Sequence, residues 1–186
     1  MTADPAIKLL LVEDTPADAE LVHRALEKET APPFEVEWCD RLARGLDRLT
    51  QGDIQVVVLD LSLPDSHGLV TFTKVKTQAP EVPVVILTGS FEEDAIALEA
   101  MKQGAQDFLT KDRLSGPVLS RAVRYAIERK KVELELGAVN RELKLRLDNI
   151  AWLNQIVEGF EKTSLDLKKE VDALLKELGR PPKYRL

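Results

Sequence analysis

Three short runs of branched apolar residues, at 7–12 (Ile-Lys-Leu-Leu-Leu-Val), 54–59 (Ile-Gln-Val-Val-Val-Leu) and 83–87 (Pro-Val-Val-Ile-Leu), show almost no alternation with polar residues. That pattern predicts strands buried on both faces. Weaker strands fit at 34–38 (Phe-Glu-Val-Glu-Trp) and 105–109 (Ala-Gln-Asp-Phe-Leu), and segments of helical period separate all five: Asp18 to Glu29, Arg41 to Gln51, Leu69 to Gln78 and Glu92 to Gln103. Strand and helix alternating in this way predict a doubly wound α/β domain, a five-stranded parallel sheet with right-handed crossovers and helices on both faces.

The period then changes. Pro117 opens a segment that reaches Leu178 without another proline, and from Val132 a 4-3 spacing runs unbroken to Leu178. Twelve of its fourteen seam positions are apolar, Arg146 and Ser164 being the two exceptions, so a long C-terminal helix forming a coiled coil is expected. Gly137 and Gly159 each cost about 1 kcal/mol in a helix interior, and a fold-back near Gly159 into a hairpin is the alternative. Gly179-Arg180-Pro181-Pro182 is a stop signal. The expected organisation is a domain over 1–130, a coiled-coil extension over 131–179 and a flexible tail over 180–186.

Charge follows the same division. The chain of 186 residues carries a net charge of −6, but residues 1–112 hold 10 Lys and Arg against 21 Asp and Glu, whereas 113–186 hold 16 against 11. No apolar run approaches the roughly 20 residues of a membrane helix, and the N-terminus lacks a basic segment followed by a long apolar one, so a cytoplasmic location with no membrane partner is expected. Cys39 is the only cysteine, which excludes an intramolecular disulfide and a cysteine-rich zinc site. An acidic domain disfavours nucleic acid. The basic cluster Arg121, Arg124, Arg129, Lys130 and Lys131 reads as a solvated helix face rather than a DNA-binding region. Residues 113–186 contain no histidine, which excludes the phosphotransfer coil of a sensor kinase.

In open α/β sheets the ligand site lies beyond the carboxyl ends of the strands. There the first strand ends in Glu13-Asp14, the third in Asp60, the fourth in Thr88-Gly89-Ser90, and the fifth is followed by Lys111. Any one of these alone is most simply a helix cap or a surface residue; their convergence from four strands is what points to a site. Three clustered carboxylates repel one another unless a cation intervenes, and a hard divalent ion, Mg²⁺ or Mn²⁺, suits such oxygens. A carboxylate beside that ion can act as nucleophile toward a phosphoryl group, with Lys111 and Thr88 holding the added oxygens.

These residues, in the strings Leu-Val-Glu13-Asp14, Val-Val-Leu-Asp60-Leu-Ser62-Leu-Pro64 with Gly68, Leu-Thr88-Gly-Ser and Gly104-Ala-Gln-Asp-Phe108-Leu-Thr-Lys111, make the first 112 residues similar to the receiver domain of a two-component response regulator. The resemblance implies a flavodoxin-like sheet of order 2-1-3-4-5. It implies that Asp60 accepts phosphate from a sensor histidine kinase or phosphotransfer protein, and that Glu13, Asp14, Asp60 and the Ser62 backbone carbonyl bind the metal. It makes Thr88 the switch hydroxyl, Lys111 the phosphate-pairing lysine and Phe108 the switch aromatic. Two departures stand out: Asp112 follows Lys111 where the family often has proline, and Phe108 replaces a frequent tyrosine. The expected output is contact with a further copy, as a homodimer through the C-terminal helix, or with an unknown downstream protein. Catalysis is limited to the domain's own phosphorylation and dephosphorylation. The rival readings are an inert receiver serving as a coiled-coil scaffold, and a small aspartyl-phosphate phosphatase, the latter disfavoured because Ser62 stands where such enzymes place a second aspartate.

Overall fold

The structure is a computed structural model that describes residues 5–29, 32–89 and 91–184, the side chains of Phe91 and Glu92 excepted. Ser90 of the fourth-strand motif therefore lies outside the described residues, as do the last two residues of the expected tail. The elements in order are β1 (Ile7–Val12), α1 (Pro16–Glu27), β2 (Phe34–Cys39), α2 (Leu42–Leu49), β3 (Val56–Asp60), the two-residue strands β4 (Ser62–Leu63) and β5 (Ser66–His67), α3 (Leu69–Gln78), β6 (Val84–Thr88), α4 (Phe91–Lys102), β7 (Asp107–Thr110), a 3₁₀ turn (Lys111–Arg113) and α5 (Gly116–Glu177). Five strands form one parallel sheet in the order β2-β1-β3-β6-β7, the order 2-1-3-4-5 expected once the small β4–β5 hairpin is set aside. The residues divide into two compact units, 1–134 and 135–186.

In the first unit the unalternating strands fill both faces of the sheet. Leu10, Val12, Val57, Leu59, Val84 and Ile86 point to one side, where Leu42, Leu49, Phe72, Val75, Ala97 and Ala100 from α2, α3 and α4 cover them. Leu9, Leu11, Val56, Val58, Val85 and Leu87 point to the other, against Ala19, Val22 and Leu26 of α1 and Leu119, Val123 and Ala126 of α5. Each Val, Leu, Ile or Phe side chain taken wholly out of water here contributes about 1.5–3 kcal/mol. Gly116 lets α5 start against the backbone of α1: a Cβ there would sit 2.5 Å from the carbonyl oxygen of Ala25. The last strand starts two residues later than its apolar pattern suggests. Ala105 and Gln106 form a buried lead-in, with the Gln106 N–H donating to the Val84 carbonyl, and Lys111 follows the strand directly.

The β4–β5 hairpin has a structural task. Helix α2 begins after Arg41, which supplies no capping side chain. Its first free amides, Leu42 N–H and Ala43 N–H, instead donate to Asp65 Oδ1 and Oδ2 at 3.0 and 2.9 Å from the tip of the hairpin. An aspartate 23 residues away thus does the work of an N-cap.

Within the second unit the helix runs through Gly137 and Gly159 without a break, so there is no fold-back at Gly159. All twelve apolar seam residues from Val132 to Leu178 are exposed, from Val171 at 37% to Phe160 at 76%. The helix ends in a Schellman motif: the Arg180 N–H donates to the Leu175 carbonyl and the Gly179 N–H to the Lys176 carbonyl, with Gly179 at φ 70°. Beyond the two prolines, the backbone N–H groups of Lys183 and Tyr184 both donate to Asp172 Oδ1 at 2.7 and 3.2 Å, folding this stretch onto the helix end. No helix among the described residues is long and apolar enough to cross a membrane.

Replacing the remote cap, Asp65→Ala, is expected to destabilise the protein by about 1 kcal/mol, read as a lower urea midpoint at unchanged slope; an unchanged midpoint would show that water caps α2 equally well.

Candidate functional site

The parallel register brings the carboxyl ends of β1, β3, β6 and β7 to one rim. Asp60 pairs with Leu87 and Thr88 with Thr110, so the acceptor candidate, the hydroxyl and the start of the lysine turn lie on adjacent strands. Glu13 follows β1, its N–H donating to the Cys39 carbonyl and its own carbonyl accepting the Trp38 indole N–H at 2.7 Å.

Glu13, Asp14 and Asp60 each offer a carboxylate oxygen within 4.8 Å of the others. Glu13 and Asp60 are buried and Asp14 is exposed, so the cluster opens to solvent on one side. Asp60 Oδ1 accepts the Ser62 backbone N–H at 2.7 Å, and Asp60 Oδ2 accepts from Lys111 Nζ at 2.6 Å. The same ammonium lies 2.7 Å from Glu13 Oε2 and 2.9 Å from Asp18 Oδ2. Glu13 Oε2 is buried and has ion-pair proximity to Lys111 without hydrogen-bond alignment, which leaves a coordination position unsatisfied. Two buried carboxylates, one exposed carboxylate and an under-satisfied oxygen fit a small divalent ion with room for further oxygen ligands.

Thr88 is buried, and its hydroxyl donates to Asp94 Oδ1 of α4 at 2.8 Å, with the Leu109 carbonyl more distant at 3.4 Å. Phe108 is half-buried, opposite Ile86 in the sheet register, and packs on the core beneath α4. His23 and His67 are both exposed. Sequence reading thus named the residues the fold brings together and missed three more: Asp18, the third partner of Lys111, and Glu93 and Asp94 in the first turn of α4. Glu93 accepts from Ser62 Oγ at 2.8 Å and from the Gly89 N–H at 2.6 Å. The one signal for all three was position, each lying in the first turn of a helix that starts on this rim.

The electrostatics follow from burial. Burial pushes the Glu13 carboxyl up to about 7; the close approach of the Lys111 ammonium pulls it back, and the charge of Asp60 pushes it up again. Burial also works against the charge of Lys111, but its contacts with Asp60, Glu13 and Asp18 together outweigh that and hold it above the usual lysine value. Because the folded protein holds the Glu13 proton up to about pH 7, against 4.5 for an ordinary glutamate, the folded state binds more protons than the unfolded one across that window. Stability of the metal-free protein should therefore fall as pH rises from 5 to 8. Thermal melting with and without Mg²⁺ checks this: the decline should shrink in Glu13→Gln, and added Mg²⁺ should raise the melting temperature at pH 8 more than at pH 5.

A family model described as the response regulator receiver domain matches residues 9–123. The KDP operon transcriptional regulatory protein KdpE of Escherichia coli is 36% identical over 122 residues, covering 65% of this chain and 51% of that protein. The glycerol metabolism activator of Pseudomonas putida is 31% identical over 105 residues, 56% of this chain and 47% of that one. The match therefore spans about half the length of either relative. Among solved structures, a response regulator receiver domain protein from Clostridium thermocellum superposes with a TM-score of 0.59 at 31% identity, covering 68% of this chain and 98% of that one. With the family model extending over more than half of the residues and the acidic rim beyond the sheet, the chain belongs to the response regulator receiver family of two-component signalling.

Proposed function

We propose that Asp60 accepts a phosphoryl group from the phosphohistidine of a sensor histidine kinase or phosphotransfer protein in the cytoplasm, and that the chain signals its state by protein contact. One observation carries this reading: Asp60 is buried at the rim with one carboxylate oxygen held by the Ser62 N–H and the other by Lys111 Nζ, beside Glu13 and Asp14. In the transfer, an Asp60 oxygen forms the new bond to phosphorus as the P–N bond breaks, and the bonding pair leaves on the imidazole nitrogen. The Ser62 amide orients the attacking carboxylate. Lys111, already tied to Asp60, pairs with the phosphoryl oxygens as they arrive, and the Thr88 hydroxyl donates to one of them. Glu13, Asp14, Asp60 and the Ser62 carbonyl would hold Mg²⁺ or Mn²⁺, which when bound neutralises charge on the phosphoryl oxygens. Phe108, packed beneath α4, answers the movement of Thr88 by changing its own packing; lacking a hydroxyl, it does so without a new hydrogen bond.

Ser62 in place of a second acid argues against a phosphatase, since no carboxyl at that position is available to protonate a leaving group. An inert scaffold is argued against by the completeness of the rim. Asp60→Asn is expected to abolish acid-labile phosphate incorporation from acetyl phosphate, measured by intact mass; persistent labelling of that variant would refute the assignment.

For the output, we propose that the exposed seam pairs with that of a second copy. Over 150–174, Ile150, Val157 and Val171 fall on one set of seam positions and Leu153, Leu167 and Leu174 on the alternate set, the distribution that favours two parallel strands, whereas Val132, Leu136, Val139 and Leu143 carry the reverse arrangement. In a parallel pair the flanking neighbours, such as Glu135 with Asn140 and Thr163 with Lys168, include no like charges, whereas a fully overlapped antiparallel pair would oppose Glu135 to Glu177 and Glu142 to Glu170. Ile150→Glu with Leu153→Glu is expected to leave a monomer by light scattering at a concentration where the unaltered chain is a dimer. Equal masses for the two proteins would exclude this seam.

A further inference from the structure

Two carboxylates in the first turn of α4 occupy hydrogen-bond donors at the mouth of the Asp60 site. Asp94 Oδ1 takes the Thr88 hydroxyl proton at 2.8 Å, Glu93 Oε2 takes the Gly89 N–H at 2.6 Å, and Glu93 Oε1 takes the Ser62 hydroxyl proton at 2.8 Å. These donors are the last residue of β6, the residue after it and the first residue of β4, two positions past the end of β3, so the start of α4 ties the ends of β3 and β6 together. They also face the reacting position. Thr88 and Gly89 follow Leu87, the register partner of Asp60, and a Cβ on Gly89 would lie 3.8 Å from Cδ of Lys111, whose Nζ is 2.6 Å from Asp60.

A hydroxyl and a backbone amide each have one proton to donate. While Asp94 and Glu93 hold those of Thr88 and Gly89, neither donor can serve a phosphoryl oxygen. A phosphoryl group also brings about two negative charges beside two carboxylates, so it competes for their donors and repels them.

We propose that Glu93 and Asp94 are positioning residues that form an acid latch. They stand in for phosphoryl oxygens in the unmodified protein, hold the start of α4 against the ends of β3 and β6, and are displaced when Asp60 is modified. The latch opposes modification and converts it into release of the α4 N-terminus. This rests on the reading of Asp60 as phosphoacceptor and adds to it the residues that set the resting state.

Beryllofluoride with Mg²⁺, a phosphoryl mimic, is the probe. In the full chain carrying Trp152→Phe, Trp38 becomes the single tryptophan, and its indole N–H on the Glu13 carbonyl makes its fluorescence sensitive to the site. Glu93→Ala and Asp94→Ala should each bind beryllofluoride about tenfold more tightly, the worth of one charge-assisted hydrogen bond no longer to be broken. The Mg²⁺ midpoint measured alone should not move. Glu99→Ala, which removes an exposed acid of the same helix paired with Lys102, should leave the affinity unchanged, separating the latch from a general charge effect. With Thr88→Val, the gain from Asp94→Ala should vanish while that from Glu93→Ala persists. Equal or weaker binding in both alanine variants, an equal gain in Glu99→Ala, or an Asp94→Ala gain that survives Thr88→Val would overturn the latch while leaving the phosphoacceptor reading intact. Failure of every form to bind beryllofluoride, together with failure of Asp60 to take up phosphate, would overturn both.

Discussion

One ammonium group organises the functional rim. Lys111 Nζ lies within 2.9 Å of carboxylate oxygens on Glu13, Asp18 and Asp60, which arrive from the end of β1, the first turn of α1 and the end of β3. The cation among them offsets the mutual repulsion of these acids, two of which, Glu13 and Asp60, are buried. The lysine is brought there because β7 ends at Thr110 and the chain turns at once into a 3₁₀ turn. The strand order matters for the same reason: β1 and β3 are neighbours, β6 follows, and β7 closes the edge, so four carboxyl ends converge within reach of one side chain.

The apolar sheet beneath is what makes that charge cluster affordable. Its central strands are buried on both faces, and the polar residues begin where the strands stop. Glu13 is the extreme case, fully buried yet ionisable, with its carboxyl pushed up to about 7 by that burial. A group so placed loses or gains charge in response to whatever cation stands beside it.

Most of the fold was legible in the sequence because the buried strands carry a simple signal, continuous branched apolar residues, and the long helix carries another, the 4-3 spacing. Glu13, Asp14, Asp60, Thr88 and Lys111 were legible because each sits at the carboxyl end of a recognisable strand. Other features escaped for physical reasons. The β4–β5 hairpin has two residues per strand, too few for any period, so nothing in the spacing marks Asp65 as the cap of a distant helix. Asp18, Glu93 and Asp94 lie in the first turns of helices, where acids are favoured by the helix dipole whatever else they touch, and that general preference hid their particular partners. Side-chain direction, which decides whether a first-turn acid faces water or a neighbouring loop, is not encoded in spacing along one chain.

The remote cap of α2 also bears on the order in which the chain folds. The segment 42–49 lacks a capping side chain of its own, and it is eight residues long, well short of what an isolated helix needs in water. Its missing acceptor is carried by the hairpin that follows β3. The acceptor for its first turn therefore lies about twenty residues further along the chain, and α2 gains its cap only when that segment is in place. The first turn of the helix and the loop that follows Asp60 are thus secured by the same pair of hydrogen bonds.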